Sequence, residues 1–156
     1  MGTKILTAPT PVYQTYNDTC WAAVMQAFCS VTVGRPQVTE EQIITEYDKY
    51  CYSDGTMKMN GLWAILGDVR FGLKRNYVAS SGFTGSFLCQ KLSSGYVIIG
   101  YYEVAIGGKH VALIYGVDGD TVYFMNPDSV IGGNKIMSIN HFSGAGIDLI
   151  IGWQRW

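Results

Sequence analysis

The apolar pattern of this chain changes its period once, near Gly95, and that change is the feature that most restricts the fold. Before it, apolar residues recur every three or four positions: Trp21, Val24, Met25 and Phe28, then Leu62, Ile65, Leu66 and Val69. After it come short runs rich in Val, Ile and Tyr, at 96–104, 110–117, 121–125, 135–139 and 147–153. They are separated by Gly, Asp, Asn and Pro, the punctuation of antiparallel strands. Helices first and strands afterwards predict an α+β fold rather than an alternating α/β one.

Local signals sharpen the helical half. Asn17 and Asp18 are cap-type residues ahead of a helix over 19–31, which Gly34 and Pro36 end. Thr39-Glu40-Glu41-Gln42 has the pattern of a capping box, flanked by Val38 and Ile43 as a hydrophobic staple, and predicts a second helix over 40–50. Asn60 opens a third helix carrying Leu62, Ile65, Leu66 and Val69, and a fourth spans 84–93, ended by Gly95. Residues 1–16, with Pro9 and Pro11, read as extended, and 52–58 as a polar loop. With no repeat, linker or low-complexity tract, residues 1–156 read as a single domain, long enough to bury a core.

Composition excludes several function classes. Apolar residues make up 48% and charged residues 15% of the chain, which is too apolar for disorder. The net charge is -1 with no basic stripe or polybasic cluster, so neither nucleic acid nor a membrane surface is an expected partner. The first residues lack a basic segment followed by an apolar run, and the runs at 96–99 and 147–151 are too short to cross a bilayer. A soluble chain is expected. Four cysteines stand at 20, 29, 51 and 89, no pair has a C-x-x-C spacing, and there are two histidines. That argues against a structural zinc site, and no metal is expected. Cys29, Cys51 and Cys89 read as buried thiols rather than as a disulfide framework.

Cys20 falls in the first turn of the first predicted helix. Unpaired amides and the positive end of the helix dipole favour a thiolate there, and the small Ala22 and Ala23 let neighbouring chain approach. Cysteine is also a common small core residue, so placement alone does not separate a nucleophile from a structural thiol. Gln14, six residues earlier, carries a side-chain amide able to donate to a developing oxyanion beside the Cys20 N–H; its bland alternative is a solvated loop glutamine.

His110 stands at the mouth of an apolar strand beside Gly107 and Gly108, where it can face a cleft, whereas His141 lies in a turn with no companion and reads as a surface or capping residue. Asp118-Gly119-Asp120 reads as a three-residue hairpin loop. That register sets Val117 opposite Thr121 and Ala112 opposite Asn126, leaving His110 and Asn126 as diagonal neighbours on one face. The Asn126 oxygen could then accept from one imidazole nitrogen and leave the other for Cys20. Asp128, nominally opposite His110 but beyond the interrupting Pro127, is the rival orienter. A two-residue turn would shift the register by one and send Asn126 to the other face.

The ordered set Gln14, Cys20, His110, Asn126 resembles the papain-like cysteine peptidase clan. Gln14-(x5)-Cys20-Trp21-Ala22-Ala23 is similar to the start of compact bacterial members: effector cysteine proteases, staphopain-like enzymes and bacteriocin-leader peptidases. His110-Val-Ala-Leu-Ile-Tyr-Gly-Val followed by Val122-Tyr-Phe-Met-Asn126-Pro127 is similar to their His and Asp/Asn-Pro stretch. The match covers about the first 30 and last 60 residues. Two departures are Val111 in place of Ala after the histidine, and Asn126 where bacterial members often carry Asp. The resemblance implies a papain-like fold, with N-terminal helices and the nucleophile helix packed on a C-terminal antiparallel sheet. It also implies cofactor-free cleavage of peptide or amide bonds through a thioester. Cys20 would then be nucleophile, His110 base and acid, Asn126 orienter and Gln14 oxyanion donor. The expected partners are a protein or peptide substrate and an inhibitor or immunity protein, and the expected setting is secretion or delivery into another cell. Deamidation, transglutamination or other acyl transfer, and peptidoglycan amidase chemistry use the same apparatus, and a silent binding domain uses the same fold.

Overall fold

The computed structural model describes residues 2–155 and has five α-helices and seven strands among them. Helix α1 (Cys20–Val31) is followed by α2 (Glu40–Glu46), α3 (Met59–Leu66) and α4 (Gly85–Leu92). Strands β3 (Val97–Glu103), β4 (Gly108–Asp118), β5 (Thr121–Asn126), β6 (Gly133–Ser138) and β7 (Leu149–Gln154) form the sheet in the second half. Two short strands, β1 (Thr3–Ile5) and β2 (Leu73–Val78), join it from the first half. All pairings are antiparallel, in the order β2-β7-β3-β4-β5-β6, with β1 on the far end of β4. The α+β architecture is thus the expected one: N-terminal helices against a C-terminal antiparallel sheet.

Period-2 alternation divides the sheet residues between two cores. Ile98, Val111, Leu113, Met125 and Ile150 face α1, α2 and α3, where Trp21, Met25, Phe28, Ile43, Ile65 and Leu66 are buried. Val97, Ile99, Ala112, Ile114, Phe124 and Ile151 face the other way, onto Leu88 and Leu92 of α4 and Phe142 of a one-turn helix α5 (Asn140–Ser143). The α1 helix is apolar nearly all round because it lies between the sheet and α2, and eight of its twelve residues are buried.

Several boundaries differ from the sequence reading. The capping box of Thr39 and Gln42 forms at the start of α2, and Val38 and Ile43 pack into one core. The helix nevertheless stops at Glu46, and the chain tightens into a 3₁₀ turn, Asp48–Tyr50. Tyr47 points inward there and donates its hydroxyl to Asp68 (2.6 Å). Helix α3 ends at Leu66 rather than carrying on to Val69, which is exposed. A Cβ at Gly67 would run into the Arg75 guanidinium, which bonds the Trp63 carbonyl; Asp68 then starts a 3₁₀ turn by accepting from Arg70 N–H. The α4 helix keeps within the expected range, with Thr84 accepting from Phe87 N–H as its cap. Strands β1 and β2 escape the sequence pattern because their residues are mostly exposed and charged or polar, so neither shows an apolar face. The three remaining cysteines are free thiols, Cys29 buried and Cys51 and Cys89 half-buried.

The β4–β5 hairpin departs from expectation twice, and the two departures offset. Its turn is the two-residue Gly119-Asp120, with Asp118 opposite Thr121 and Gly119 at φ 60°. A β-bulge between Ile114 and Gly116 then inserts Tyr115, so the ladder resumes with Leu113 opposite Met125. Continued by one residue, that register sets Ala112 opposite Asn126, the pairing a three-residue loop predicts.

Candidate active site

The thiol of Cys20 belongs to the first residue of α1, and the loop that delivers it is held from outside the helix. Asn17 and Asp18 do not cap; the N-cap is Thr19, which makes no side-chain cap bond. The Thr19 hydroxyl instead donates to the buried Glu40 carboxylate (3.1 Å), which also accepts from Thr15 N–H (3.0 Å). Glu40 is braced in turn by its own N–H donating to Gln26 (2.7 Å). Sequence reasoning assigned Glu40 only to the α2 start; its exposure of 5% identifies it as a second support of the Cys20 loop. Trp21 fixes the following turn by donating its indole N–H to Asp18 O (3.0 Å).

Cys20 is half-buried, and burial pushes its thiol up to about 11. Backbone N–H groups of Val111, Trp21 and Cys20 itself pull in the other direction without prevailing. The helix-start effect expected to favour the thiolate is therefore outweighed by desolvation. The Val111 amide also puts the sulfur against β4, one residue past His110.

His110 and Asn126, both buried, are joined by a 2.7 Å hydrogen bond between Nε2 and Oδ1. The same Oδ1 accepts from Asp128 N–H (2.9 Å). A backbone N–H can only donate, so this second bond fixes the amide orientation, and Nε2 of His110 must carry the proton. Nδ1 is left as the proton acceptor of the ring. Asp128, the rival orienter, is engaged elsewhere: its Oδ1 accepts from Val130 and Ile131 N–H (2.8 and 2.9 Å). Gly132 closes this loop so tightly that a Cβ would collide with the Asp128 carbonyl. Burial lowers the His110 pKa from its ordinary 6.5, outweighing the Asn126 bond and the charges of Glu103 and Asp128.

Gln14 is buried before the loop, its N–H donating to Pro127 O (2.8 Å). Its side-chain amide donates to Tyr16 O (2.9 Å) and Asn17 O (2.6 Å), so both donors serve the loop. Its Oε1 is buried without a partner. The other histidine is not the surface or capping residue expected: His141, the second residue of α5, is half-buried and bonds the buried Glu103 (2.8 Å).

Cys20 and His110 open onto one cleft of about 420 Å³. Trp21, Met57, Leu62, Tyr101, Val111 and Ile150 give it apolar walls, and Asp18, Lys58, Lys109 and Asp148 stand on its sides. Asn126 and Gln14 lie behind these walls, each engaged as above. Among the described residues no group of three or more His, Cys, Asp or Glu side chains is placed to hold a metal ion, and no helix is long and apolar enough to cross a membrane. The arrangement can pair a thiol with a tautomerically fixed imidazole at the mouth of an apolar cleft.

Comparison with known proteins agrees with this geometry. The peptidase domain of Streptococcus ComA, a bifunctional ABC transporter of a quorum-sensing pathway, superposes with a TM-score of 0.66 at 14% identity, over 94% of this chain and 98% of that one. A C39-like peptidase from Bacillus anthracis gives 0.64 at 14% identity, over 99% of both chains. A double-glycine-motif protease from an AMS/PCAT transporter, in complex with its leader peptide, gives 0.58 at 19% identity, over 99% and 100%. These likenesses establish a shared fold. No curated protein sequence matched. The profile of the papain-like cysteine protease AvrRpt2 family matches residues 5–145, nearly the whole chain. The chain belongs to that family, a branch of the papain-like cysteine peptidases.

Proposed function

We propose that this protein cleaves peptide or amide bonds through a Cys20 thioester, with His110 as general base and then acid and Asn126 as its orienter. The observation that carries the reading is the doubly anchored Asn126 oxygen. It leaves His110 Nδ1 unprotonated in the cleft that Cys20 opens onto. Burial favours neutral forms for both groups, so the reaction starts from thiol and imidazole rather than from a settled ion pair. The Cys20 proton passes to Nδ1 as the sulfur attacks the carbonyl carbon. The oxyanion forms beside the Cys20 N–H, and Gln14 contributes its amide if Nε2 leaves the loop carbonyls of Tyr16 and Asn17. The imidazolium then protonates the departing amine, and the thioester is hydrolysed by water deprotonated by the same nitrogen. The substrate is a protein or peptide, taken up in an apolar cleft with charges on its rim.

The test pairs a thiol-directed epoxide with Cys20→Ala and a peptide library. Rapid single-site labelling that Cys20→Ala abolishes, together with library cleavage, is the expected result. Labelling spread evenly over the four thiols would overturn the nucleophile assignment. Specific labelling without cleavage would keep Cys20 and replace peptidase activity with deamidation or acyl transfer.

A further inference from the structure

Behind His110, on the face of the sheet turned toward α5, lies a buried carboxylate that the chemistry above does not use. Glu103 is 2% exposed. Its Oε1 accepts from the Tyr101 hydroxyl (2.9 Å) and from His141 Nε2 (2.8 Å), and its Oε2 accepts from Ala105 N–H (3.2 Å). Tyr101 stands directly opposite His110 in the β3–β4 ladder and meets the imidazole edge-to-face, with ring centroids 5.9 Å apart. It also forms part of the cleft wall. His141 is wedged against Phe124 and Phe142, and Phe142 packs on Tyr101. One residue of α5, one of β3 and one just past β3 thus meet at a single carboxylate.

Such a group is costly to bury and persists only where its oxygens are satisfied. Burial alone would raise the Glu103 pKa, but the bonds from His141, Ala105 and Tyr101 hold it below the ordinary carboxylate value, so it is ionised at neutral pH. The ionisable groups around His110 are Cys20 from α1, Tyr101 and Glu103 from β3, and Asp128 just past β5, with Asp18, Lys58, Lys109 and Asp148 on the sides of the cleft it faces. Asn126, the direct partner of the imidazole, is neutral, and the Asp128 carboxylate is turned to its own loop. Glu103 is therefore the buried anion on the side of the imidazole away from the thiol helix.

Resting on the reading of His110 as the base, we infer that Glu103 is a positioning residue of this site. Held by Tyr101 and His141, it supplies the negative charge that a carboxylate orienter would otherwise provide, and it seats the Tyr101 ring against His110. Its charge stabilises the imidazolium that forms as Cys20 gives up its proton, while Asn126 sets only the tautomer. The mechanism thereby divides orientation and charge between two residues.

Glu103→Gln keeps the shape and an acceptor for Tyr101 but removes the charge. Two readouts in the full-length protein test it: the imidazole ¹⁵N titration of His110, and the pH dependence of Cys20 alkylation by iodoacetamide. We expect the His110 midpoint to fall by about 0.5–1 pH unit, in line with loss of a nearby buried anion. Alkylation at neutral pH is expected to slow roughly threefold to tenfold, as the imidazolium form loses support. A purely structural glutamate would leave the midpoint where it is, so an unmoved or raised midpoint in a folded variant overturns the inference. If Glu103→Gln does not fold, Tyr101→Phe serves instead: the ring stays against His110, loss of a neutral donor weakens the hold on the carboxylate charge, and the midpoint must move the same way by a smaller amount. His110→Ala separates the two readings. If it leaves alkylation unchanged, the base assignment fails, whatever the midpoint does. If it suppresses alkylation while the midpoint is indifferent to Glu103, only the inference fails.

Discussion

His110 and Asn126 meet on adjacent strands, so their separation is set by a ladder of backbone hydrogen bonds. Gln14 and Cys20 flank a loop of five residues, 15–19, that has no ladder. It is held by the Glu40 carboxylate on Thr15 and Thr19 and by the Gln14 amide on Tyr16 and Asn17. One further bond joins the regions, Gln14 N–H to the carbonyl of Pro127, the residue after Asn126. The strand region is rigid by register, because a slip of one residue would turn every side chain over. The loop region is rigid only as far as a few side-chain bonds make it so, and those bonds can exchange partners. This is where the site has room to adjust when a substrate arrives.

The comparison is broken most severely at Asn126, in the β4–β5 hairpin. Asn126→Ala keeps the ladder but removes the oxygen that holds the His110 tautomer. Cleavage should fall by roughly 10³–10⁴-fold, as when a triad loses its orienter. Circular dichroism should still report a sheet. Activity retained within tenfold in a folded variant would mean that Asn126 does not hold the His110 tautomer.

That same hairpin shows what was legible in the sequence and what was not. Alternating apolar residues on β4 and β5 fixed which face His110 takes, and the counting placed Asn126 correctly. The two departures offset: Gly119-Asp120 carries the signature of a two-residue turn, whereas the bulge has none, since Ile114, Tyr115 and Gly116 are all acceptable strand residues. The capping box of α2 was readable because its chemistry is local. The role of Glu40 in bracing Thr15 and Thr19 was not, because it joins positions some 20 residues apart that only the packing of α1 on α2 brings together. His141 was misread for a similar reason. Its partner Glu103 lies far away in sequence, at the end of a strand whose pattern promises apolar burial.

The loop region is best probed by comparing two substitutions at its anchors. Glu40→Ala removes the buried carboxylate that accepts from Thr15 N–H and from the Thr19 hydroxyl, leaving the latter only the Tyr16 carbonyl, which should lower stability by about 1–3 kcal/mol. Activity should fall in step with stability. Gln14→Ala removes two bonds to loop carbonyls and, if the amide swings to the oxyanion, a transition-state donor as well. Its kcat should then drop by roughly 10²-fold, out of proportion to a modest change in Tm. Stability and kcat declining together in Gln14→Ala, as in Glu40→Ala, would reduce Gln14 to a loop brace.

The smallest effects lie in how pH acts on the two regions, and their signs are opposite. His110, on the strand side, has a folded pKa below its ordinary 6.5, so the unfolded chain binds the proton more readily and stability declines as pH falls below 6.5. Cys20, on the loop side, has a folded pKa raised from 9.0 to about 11. Its contribution is fully present below pH 9 and is lost as pH rises from 9 through 11. Buried Cys29, in the core beneath, is raised to about 11 as well and acts in the same direction. Because Cys20 is only half-buried, its share should be about 1 kcal/mol after allowing for solvent screening, a shift in Tm of about 2–4 °C. Scanning Tm against pH should therefore show His110→Gln flattening the acid side alone, and Cys20→Ala reducing the alkaline decline without abolishing it, since Cys29 remains. An alkaline decline untouched by Cys20→Ala would mean that the thiol is not desolvated in the folded protein. The site would then begin from a thiolate, and the proton transfer to His110 would precede rather than accompany attack.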